Sequence, residues 1–368
     1  MPRKTKIGIL TGGGDCAGLN AAVKWVTKTA LDRQLEQERE CQFEVLGIRD
    51  GWKGLSFTTK EELEAGVMTL TENAVRTWDR FGGTYLGTSR FNPYNSKNNT
   101  SKTTLANIEK LGIDVLVAIG GDDTLSVAAK LHKDGVPVVG IPKTIDRDLP
   151  GTDYTLGFET SLEVITDIVD KLRTTASSHS RVFVIETMGR NAGWLALKSG
   201  ESAGAYIILI PEYDFDMKRV NELIMEGRRN GARYDIVMVS EGAKVKGGTL
   251  VARDKKYDAF GHETLGGIGE YVAAEITRGT NIETRCVVLS HIQRGGAPCA
   301  YDRRMGRYFG IAAVNLINKK DFGKLVCYKH GEISSVPIVD VLGHLNLVDV
   351  KTMYDTVRYN GSRNILSD

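Results

Sequence analysis

Two aspartates follow a glycine pair in the sequence GGDDT at residues 120–124, directly after an apolar segment. Glycine lets a polyphosphate approach the backbone closely, because no side chain intervenes. Two carboxylates beside a phosphate repel it unless a divalent cation lies between them, and Mg²⁺ typically takes one or two carboxylates together with phosphate oxygens. The motif therefore predicts a magnesium–phosphate site. The alternative, an aspartate that caps a helix, accounts for one carboxylate but not for both.

A second polar segment, PKTIDRD at residues 142–148, also follows an apolar run. Lys143 offers a compact positive charge to a phosphate, and the Thr144 hydroxyl can donate a hydrogen bond. Asp146 and Asp148 are two residues apart, so in an extended segment they point to the same side. One carboxylate can then accept a proton from a substrate hydroxyl while the other shapes the local field. A surface turn that happens to contain Lys and Asp is the alternative interpretation.

The sequence TGGGD at residues 11–15 lies between a predicted strand and a predicted helix over 19–30. A glycine loop at the start of a helix presents unpaired N–H groups to phosphate at the positive end of the helix dipole. A tight turn without a ligand is the alternative. The spacing of Gly12, Gly14 and Ala17 also fits a dinucleotide fingerprint, but no acidic residue ends a second strand about 20 positions later. The sequence therefore argues against a nicotinamide cofactor.

Cationic side chains stand at the starts and ends of further predicted strands. Arg181 and Arg285 precede apolar runs, whereas Arg190 and Arg294 follow them. The planar guanidinium group suits phosphate oxygens, which it can bind with two parallel hydrogen bonds. His291 lies three residues before Arg294, so the two can share one face of a turn. These positions predict contacts to the phosphate groups of a ligand.

Eight short and almost wholly apolar segments supply the strands that must position these motifs, and amphipathic helical segments lie between them. Such strands are typical of a parallel sheet covered on both faces. Their alternation with helices indicates an α/β fold, in which ligands bind at the carboxyl ends of the strands. Dense polar or glycine-rich sequence follows five of these strands, which is the main indication of an enzyme. The predicted strands are residues 7–11, 45–48, 115–120, 136–141, 182–187, 206–211, 236–241 and 286–290.

The composition excludes several classes of protein. The 368 residues favour two domains, and the balance of 48 Lys and Arg against 46 Asp and Glu, a net charge of +2, argues against a nucleic-acid partner or an anionic membrane. No apolar run reaches the roughly 18 residues of a membrane helix. The first residues lack the apolar region of a secretory signal, and five cysteines without a CxxC pair fit a reducing compartment. A cytoplasmic location is therefore expected.

Taken together, the motifs resemble those of the 6-phosphofructokinase family in order and spacing, over about residues 5–310. The resemblance implies two Rossmann-like α/β lobes with mainly parallel sheets. It implies a phosphoryl-donor lobe at 1–157 plus 294–342 and a sugar-phosphate lobe at 158–293 plus 343–368. The matching motifs are GILTGGGDCAGLNA, GGTYLGTSR, GGDDT, PKTIDRD, MGR, VSEG and TRCVVLSHIQRGG.

The resemblance further implies phosphoryl transfer to the 1-hydroxyl of fructose 6-phosphate, with Mg²⁺ as cofactor. Asp146 is then the general base, Asp122 the magnesium carboxylate, and Thr144 a contact of the transferring phosphoryl group. The implied catalytic residues are Asp146, Thr144, Asp148 and Arg190. The implied donor-binding residues are Gly13, Gly14, Arg90, Gly121, Asp123, Thr124 and Lys143. The implied sugar-binding residues are Arg181, Met188, Gly189, Arg190, Glu241, Arg285, His291 and Arg294.

Arg181 and Arg285 match arginines that the family supplies from a neighbouring subunit. The resemblance therefore implies a homodimer or homotetramer with shared active sites. His291 and Arg294 match residues that hold the 6-phosphate of the sugar. Arg147 stands where the family usually has asparagine between the two aspartates.

The choice of phosphoryl donor depends on two positions. ATP-using members resemble GGDG followed by PGTID, whereas this chain has Asp123 and Lys143 in those motifs. That combination is similar to the pyrophosphate-dependent branch, which implies a reversible reaction with pyrophosphate in glycolysis or gluconeogenesis. An ATP-dependent 6-phosphofructokinase is the first alternative. A non-catalytic sugar-phosphate sensor is a second, against which the intact motif aspartates argue.

Overall fold

The computed structural model describes residues 4–32, 42–247 and 266–366, and it divides into two compact units. The first unit comprises Met1–Thr144, Leu149–Thr160 and Arg294–His344, and the second comprises Ile145–Asp148, Ser161–Gln293 and Leu345–Asp368. The segment Ile145–Asp148 thus groups with the second unit, whereas the sequence-based bounds placed it in the donor lobe. Its backbone is bonded there: the N–H of Asn346 donates to the carbonyl of Asp148 over 2.8 Å.

A seven-stranded sheet forms the centre of the first unit, in the order β11-β10-β5-β4-β1-β2-β3. The interior pairs are parallel, and the edge strands β3 and β11 run antiparallel to their neighbours. β1 and β4 are buried along most of their length, as a sheet with helices on both faces requires. The strands are β1 Thr5–Thr11, β2 Phe43–Ile48, β3 Val67–Thr69, β4 Val115–Gly120, β5 Val138–Pro142, β10 Lys324–Lys329 and β11 Glu332–Pro337.

The second unit contains a four-stranded sheet in the order β7-β8-β6-β9, with all neighbours parallel. β6 and β8 are the central strands and are buried throughout. A short antiparallel hairpin, β12–β13, lies near the end of the chain. The strands are β6 Val182–Thr187, β7 Ile207–Leu209, β8 Asp235–Ser240, β9 Thr284–Val288, β12 Tyr354–Asp355 and β13 Asn360–Gly361.

The helices within the described residues are α1 Leu19–Ala30, α2 Lys60–Ala65, α3 Ser101–Lys110, α4 Asp122–Lys133, α5 Phe158–His179, α6 Trp194–Ser202, α7 Met217–Arg229, α8 Ile268–Thr280, α9 Ala300–Asn318 and α10 Val350–Met353. Short 3₁₀ turns occupy Gly51–Leu55, Trp78–Arg80, Ser290–Arg294 and Ile338–Val341. Helices α1 and α9 pack closely because Gly306 leaves room for Ala21: a Cβ atom there would lie only 2.7 Å from the Ala21 Cβ.

A buried carboxylate ties α9 to the start of α5. Asp302, in the first turn of α9, is fully buried and accepts the backbone N–H groups of Gly157 and Thr160 at 2.6 and 2.9 Å. The hydroxyls of Tyr154 and Thr160 also donate to it. Several donors converge on one charge, so its burial cost is offset by hydrogen bonds.

All eight predicted strands are present, and the α/β fold with mainly parallel sheets is confirmed. The strands that the sequence did not predict lie at sheet edges or in hairpins: β3, β10, β11, β12 and β13. Among residues 4–32, 42–247 and 266–366, no helix has the length and apolar character needed to cross a membrane. The four described cysteines form no disulfide with one another, and Cys41 lies outside the described residues.

Candidate active site

In the first unit, the loop between β1 and α1 carries the predicted phosphate-binding glycines. Gly13 has a φ of 78°, a left-handed conformation that favours glycine. The buried Thr124 lies against this loop, since a Cβ atom on Gly12 or on Gly120 would each come within 2.5 Å of the Thr124 Oγ1. Because neither glycine has a side chain, the ends of β1 and β4 can both lie close to Thr124.

The second glycine motif leads from β4 into α4. Gly121 is the N-cap residue, and Asp122 and Asp123 occupy the first turn of the helix, where carboxylates are favoured by the helix dipole. Asp122 is exposed and Asp123 half-buried. The described residues contain no group of three His, Cys, Asp or Glu side chains able to hold a metal ion. The exposed carboxylate of Asp122 can supply one oxygen ligand to a divalent cation.

Lys143 connects the two glycine loops. Its side chain is buried, and its Nζ donates to the carbonyl of Gly14 over 2.6 Å. Its backbone N–H donates to Gly120 over 3.0 Å. The carbonyl of the next residue, Thr144, accepts the Thr155 hydroxyl at 2.7 Å. The lysine ammonium is thereby positioned beside the glycines that were predicted to bind phosphate.

Arg294 also lies at the glycine loop of the first unit. Its Nη1 donates to the carbonyl of Asp15 over 3.0 Å, and a Cβ atom on Gly14 would lie 2.7 Å from the same nitrogen. The structure therefore places Arg294 with the predicted donor-binding residues of this unit. Its role in binding the sugar phosphate stays a prediction.

A short segment before Arg90 holds the other side of Gly13. The Thr88 hydroxyl donates to the Gly13 carbonyl over 2.7 Å, and the carbonyl of Ser89 accepts the Gly13 N–H at 3.2 Å. Arg90 itself is exposed. Unlike Arg90, Thr88 and Ser89 are not predictable as site residues from the sequence, because their contacts with Gly13 span about 75 residues and no local pattern marks them.

In the second unit, the ends of β6 and β8 bring Arg190 and Glu241 together. The backbone N–H of Arg190 donates to the Glu241 Oε1 over 3.1 Å, and the N–H of Glu241 donates to the Thr187 carbonyl over 2.8 Å. Gly189 has a φ of 137°. A Cβ atom on Gly242 would overlap the carbonyl oxygen of Arg190, so glycine is required for this approach.

Glu241 and Asp146 interact electrostatically. Burial is the largest cause that raises the pKa of Glu241, and the charge of Asp146 also raises it, whereas the hydrogen bond from the Arg190 N–H lowers it; the net result is a rise from 4.5 to about 7. Asp146 is itself only 6% exposed. Two carboxylates with little solvent around them suit a site in which one accepts a proton and the other binds hydroxyl groups.

Arg181 and Arg285 are held as a pair. Glu283 accepts Arg181 Nε at 2.7 Å through one oxygen and Arg285 Nη2 at 2.6 Å through the other. The hydrogen bond from Arg181, with that from Arg285, lowers the pKa of Glu283. His291 lies exposed beyond β9, with its Nδ1 3.0 Å from the Ser290 hydroxyl. The two guanidinium groups thus form one cationic patch with Glu283 at its centre.

Gln293 is a polar residue of the second unit that the sequence did not predict as part of the site. It is buried, and its Oε1 accepts the Met188 N–H at 3.2 Å while its Nε2 donates to Ser290 over 2.9 Å. It therefore links the loop after β6 to the turn after β9. The only sequence signal was its position between His291 and Arg294.

The predicted site residues fall into two groups, each described within its own unit. The first unit holds Gly13, Gly14, Arg90, Gly121, Asp122, Asp123, Thr124, Lys143, Thr144 and Arg294. The second unit holds Asp146, Asp148, Arg181, Met188, Gly189, Arg190, Glu241, Arg285 and His291. The first group is rich in phosphate-binding features, and the second combines carboxylates, arginines and a histidine.

Comparisons with known sequences and structures identify the family of this chain. The sequence profile of the phosphofructokinase family matches residues 6–317. Pyrophosphate–fructose 6-phosphate 1-phosphotransferase of Streptomyces coelicolor is 43% identical over 353 residues, covering 96% of this chain and 98% of the relative. ATP-dependent 6-phosphofructokinase 3 of the same organism is 40% identical over 343 residues, covering 93% and 96%. The crystal structure of pyrophosphate-dependent phosphofructokinase from Marinobacter aquaeolei has a similar fold, with a TM-score of 0.80 at 20% identity over 98% of this chain and 89% of that one.

Proposed function

This chain belongs to the phosphofructokinase family, and from that premise we propose that it transfers a phosphoryl group from pyrophosphate to the 1-hydroxyl of fructose 6-phosphate. The products are fructose 1,6-bisphosphate and phosphate. The observation that carries the choice of donor is the buried Lys143 ammonium, 2.6 Å from the carbonyl of Gly14 in the glycine loop.

The donor is bound by the first unit. The backbone at Gly13, Gly14 and Gly121 lies along the phosphates, with the N–H groups of Gly14 and Gly121 as donors, because the Gly13 N–H is bonded to the Ser89 carbonyl. Lys143 and Arg90 add positive charge. Asp122 would hold the metal ion, for which we infer Mg²⁺ from the single carboxylate and the phosphate ligands. When bound, the ion neutralises the charge of the phosphate oxygens and orients them.

In the chemical step, the oxygen of the sugar 1-hydroxyl forms a bond to phosphorus and the bridging P–O bond of pyrophosphate breaks. Phosphate leaves with the electron pair of that bond. Asp146 takes the proton from the attacking hydroxyl, and Asp148 adds negative charge that favours its transfer. The Thr144 hydroxyl and the Arg190 guanidinium stabilise the equatorial oxygens of the transferring group.

Asp123 favours pyrophosphate over ATP. Its carboxylate follows the metal-binding Asp122 directly, where a third phosphate and a nucleoside would need space. Two like charges about 4 Å apart at an effective dielectric near 20 repel by roughly 4 kcal/mol, equivalent to about a thousandfold in binding. Lys143 can instead hold a short diphosphate. The reaction with pyrophosphate is reversible because the bond broken in the donor and the bond formed in the product are similar in energy.

The sugar phosphate is bound by Met188, Gly189, Arg190 and Glu241, with His291 and Arg294 on its 6-phosphate. The pair formed by the half-buried Arg181 and the exposed Arg285 acts on the site of a neighbouring subunit, so the protein works as a homo-oligomer. Its location is the cytoplasm. Both arginines are paired with Glu283, at 2.7 and 2.6 Å, which supports the idea that they act together.

A coupled assay with each donor at equal concentration and saturating Mg²⁺ tests the proposal. Turnover with pyrophosphate well above that with ATP is expected. Higher turnover with ATP would mean that Asp123 points away from the donor, and the chain would then be an ATP-dependent phosphofructokinase, as its 40% identical relative is named. Absence of turnover with both donors, combined with sugar-phosphate binding, would favour the sensor.

A further inference from the structure

Arg147 occupies an unusual backbone position between Asp146 and Asp148. Its φ is 53°, in the left-handed region where residues other than glycine and asparagine are uncommon. This conformation turns the chain sharply between the two aspartates and so decides where each carboxylate points. A long side chain persists in such a conformation only when its surroundings fix it.

The surroundings of Arg147 form a closed set of contacts. Its guanidinium carbon lies 4.9 Å from the centre of the Trp194 ring, within the range of a cation–π interaction. The Trp194 Nε1 donates to the carbonyl of Asn346 over 2.8 Å. The Asn346 Nδ2 donates back to the carbonyl of Arg147 over 2.9 Å.

The same asparagine holds the next residue of the loop. The backbone N–H of Asn346 donates to the carbonyl of Asp148 over 2.8 Å. Two consecutive carbonyls, those of Arg147 and Asp148, are therefore bonded to one residue about 200 positions later in the chain. Trp194 is buried, and all of these residues belong to the second unit.

Glu212 fixes the two partners of Arg147 relative to each other. Its Oε1 accepts the N–H of Gly193, the residue before Trp194, at 2.8 Å and the N–H of Val348 at 3.0 Å. A side chain on Gly193 would collide with Glu212, because a Cβ atom there would lie 2.6 Å from its Oε2. The start of α6 and the segment around Asn346 are thus clamped by one carboxylate.

We propose that Arg147, Trp194 and Asn346 are positioning residues for phosphoryl transfer: they hold the loop between Asp146 and Asp148 in its left-handed turn and thereby aim the base. The inference rests on the proposed function. The guanidinium group of Arg147 packs on the Trp194 ring. Arg147 therefore affects the reaction indirectly, through the conformation of the loop that carries Asp146 and Asp148. Misplacing a catalytic group by about 1 Å can cost on the order of 100-fold in rate, which makes such a clamp consequential.

The principal variants are Asn346→Leu, which removes the side-chain donor at nearly constant shape, and Trp194→Phe, which keeps a ring below Arg147 but removes the N–H. Leu347→Ala is the matched control, since Leu347 is the neighbouring residue and is 45% exposed. Turnover of both variants should fall by about 10- to 100-fold, with the KM values for both substrates changed less than threefold. The control should match the unmodified enzyme.

A pair of substitutions at Arg147 separates backbone conformation from side-chain packing. Asparagine tolerates the left-handed region, whereas a β-branched residue does not. Arg147→Asn should therefore lose less turnover than Arg147→Val. If valine were tolerated as well as asparagine, the turn would not matter for catalysis and the proposal would be overturned.

Hydrogen–deuterium exchange of the intact protein without substrates gives a readout that does not depend on activity. Amides of residues 145–149 should exchange faster in Asn346→Leu and Trp194→Phe than in Leu347→Ala. Unchanged exchange and unchanged turnover in both variants would overturn the positioning role. An unmodified enzyme without phosphoryl transfer would instead overturn the proposed function, and the exchange measurement would still decide whether the clamp holds the loop.

Discussion

The Lys143 ammonium lies 2.6 Å from the carbonyl oxygen of Gly14, although 129 residues separate the two in sequence. This contact joins the loop after β5 to the glycine loop after β1 and aims a buried positive charge at the predicted phosphate-binding glycines. Lys143 is only 3% exposed, so its charge is weakly screened by solvent.

Substitution of the two donor-selecting residues should separate donor choice from sugar binding. Lys143→Gly should lower kcat/KM for pyrophosphate by about 10- to 100-fold, the equivalent of one charge-assisted hydrogen bond. Asp123→Gly should raise ATP-dependent activity by removing the repulsive carboxylate. Initial rates with both donors measure this, and KM for fructose 6-phosphate should change little. Lys97→Gly, at an exposed lysine of the same unit, is the control, and an equal loss there would contradict the assignment.

Asp146→Ser should lower kcat by about 10²- to 10⁴-fold, the usual contribution of general acid–base catalysis. The hydroxyl of serine cannot accept the proton from the sugar, whereas substrate binding should be nearly unchanged. Steady-state kinetics and direct titration of fructose 6-phosphate provide the two measurements. Asp167→Ser, at an exposed aspartate of α5, should keep full activity. Near-normal turnover of Asp146→Ser would remove Asp146 as the base.

Mixing two inactive variants should restore activity if the arginines act across subunits. Arg285→Ala leaves Asp146 intact, and Asp146→Ser leaves Arg285 intact, so a hybrid dimer contains one complete site. Random exchange of equal amounts into dimers should give about a quarter of the normal number of complete sites, because a two-fold axis pairs each site with the other chain. Subunit exchange, verified by mass spectrometry, without any rescue would refute a shared site.

The raised pKa of Glu241 predicts a pH dependence of sugar binding. If the ionised carboxylate accepts a hydroxyl of the sugar, kcat/KM for fructose 6-phosphate should increase as the pH passes through about 7. Glu241→Gln should flatten that rise and lower the value at high pH. For folding the sign is opposite: the native state keeps a proton that the unfolded chain releases between about pH 4.5 and 7, so this group's contribution to the free energy of unfolding falls as the pH rises across that window.

Asp302→Asn should destabilise the first unit. The amide replaces one of the two accepting oxygens by a donor, so either the Gly157 N–H, now at 2.6 Å from Oδ1, or the Thr160 N–H, now at 2.9 Å from Oδ2, loses its acceptor. Leaving buried donors unsatisfied should lower the free energy of unfolding by at least about 2 kcal/mol. Urea unfolding measures the difference. Asp340→Asn, at an exposed aspartate, should change it little, and equal stability of the two variants would argue against Asp302 as an anchor.

Local sequence was sufficient to predict much of the fold. Continuous apolar runs such as Val115–Gly120 and Val182–Thr187 identify buried parallel strands, because both faces of such strands are covered. Glycines and carboxylates directly after these runs, such as Asp122, are recognisable as candidate site residues because ligands bind where parallel strands end. Edge strands such as Glu332–Pro337 escaped prediction, since one side is exposed and the apolar pattern is interrupted.

The sequence by itself determined which residue types stand at the strand ends, and thus the phosphoryl chemistry and the candidate base. Only the tertiary structure decided that Arg294 lies against Gly14, that Gln293 supports the loop at Met188, and that Asn346 holds the backbone around Arg147. These pairs are brought together by the order of strands in each sheet and the return of the chain's last segment. Periodicity reports only the local environment of a residue, so contacts between distant segments become visible only once the chain has folded.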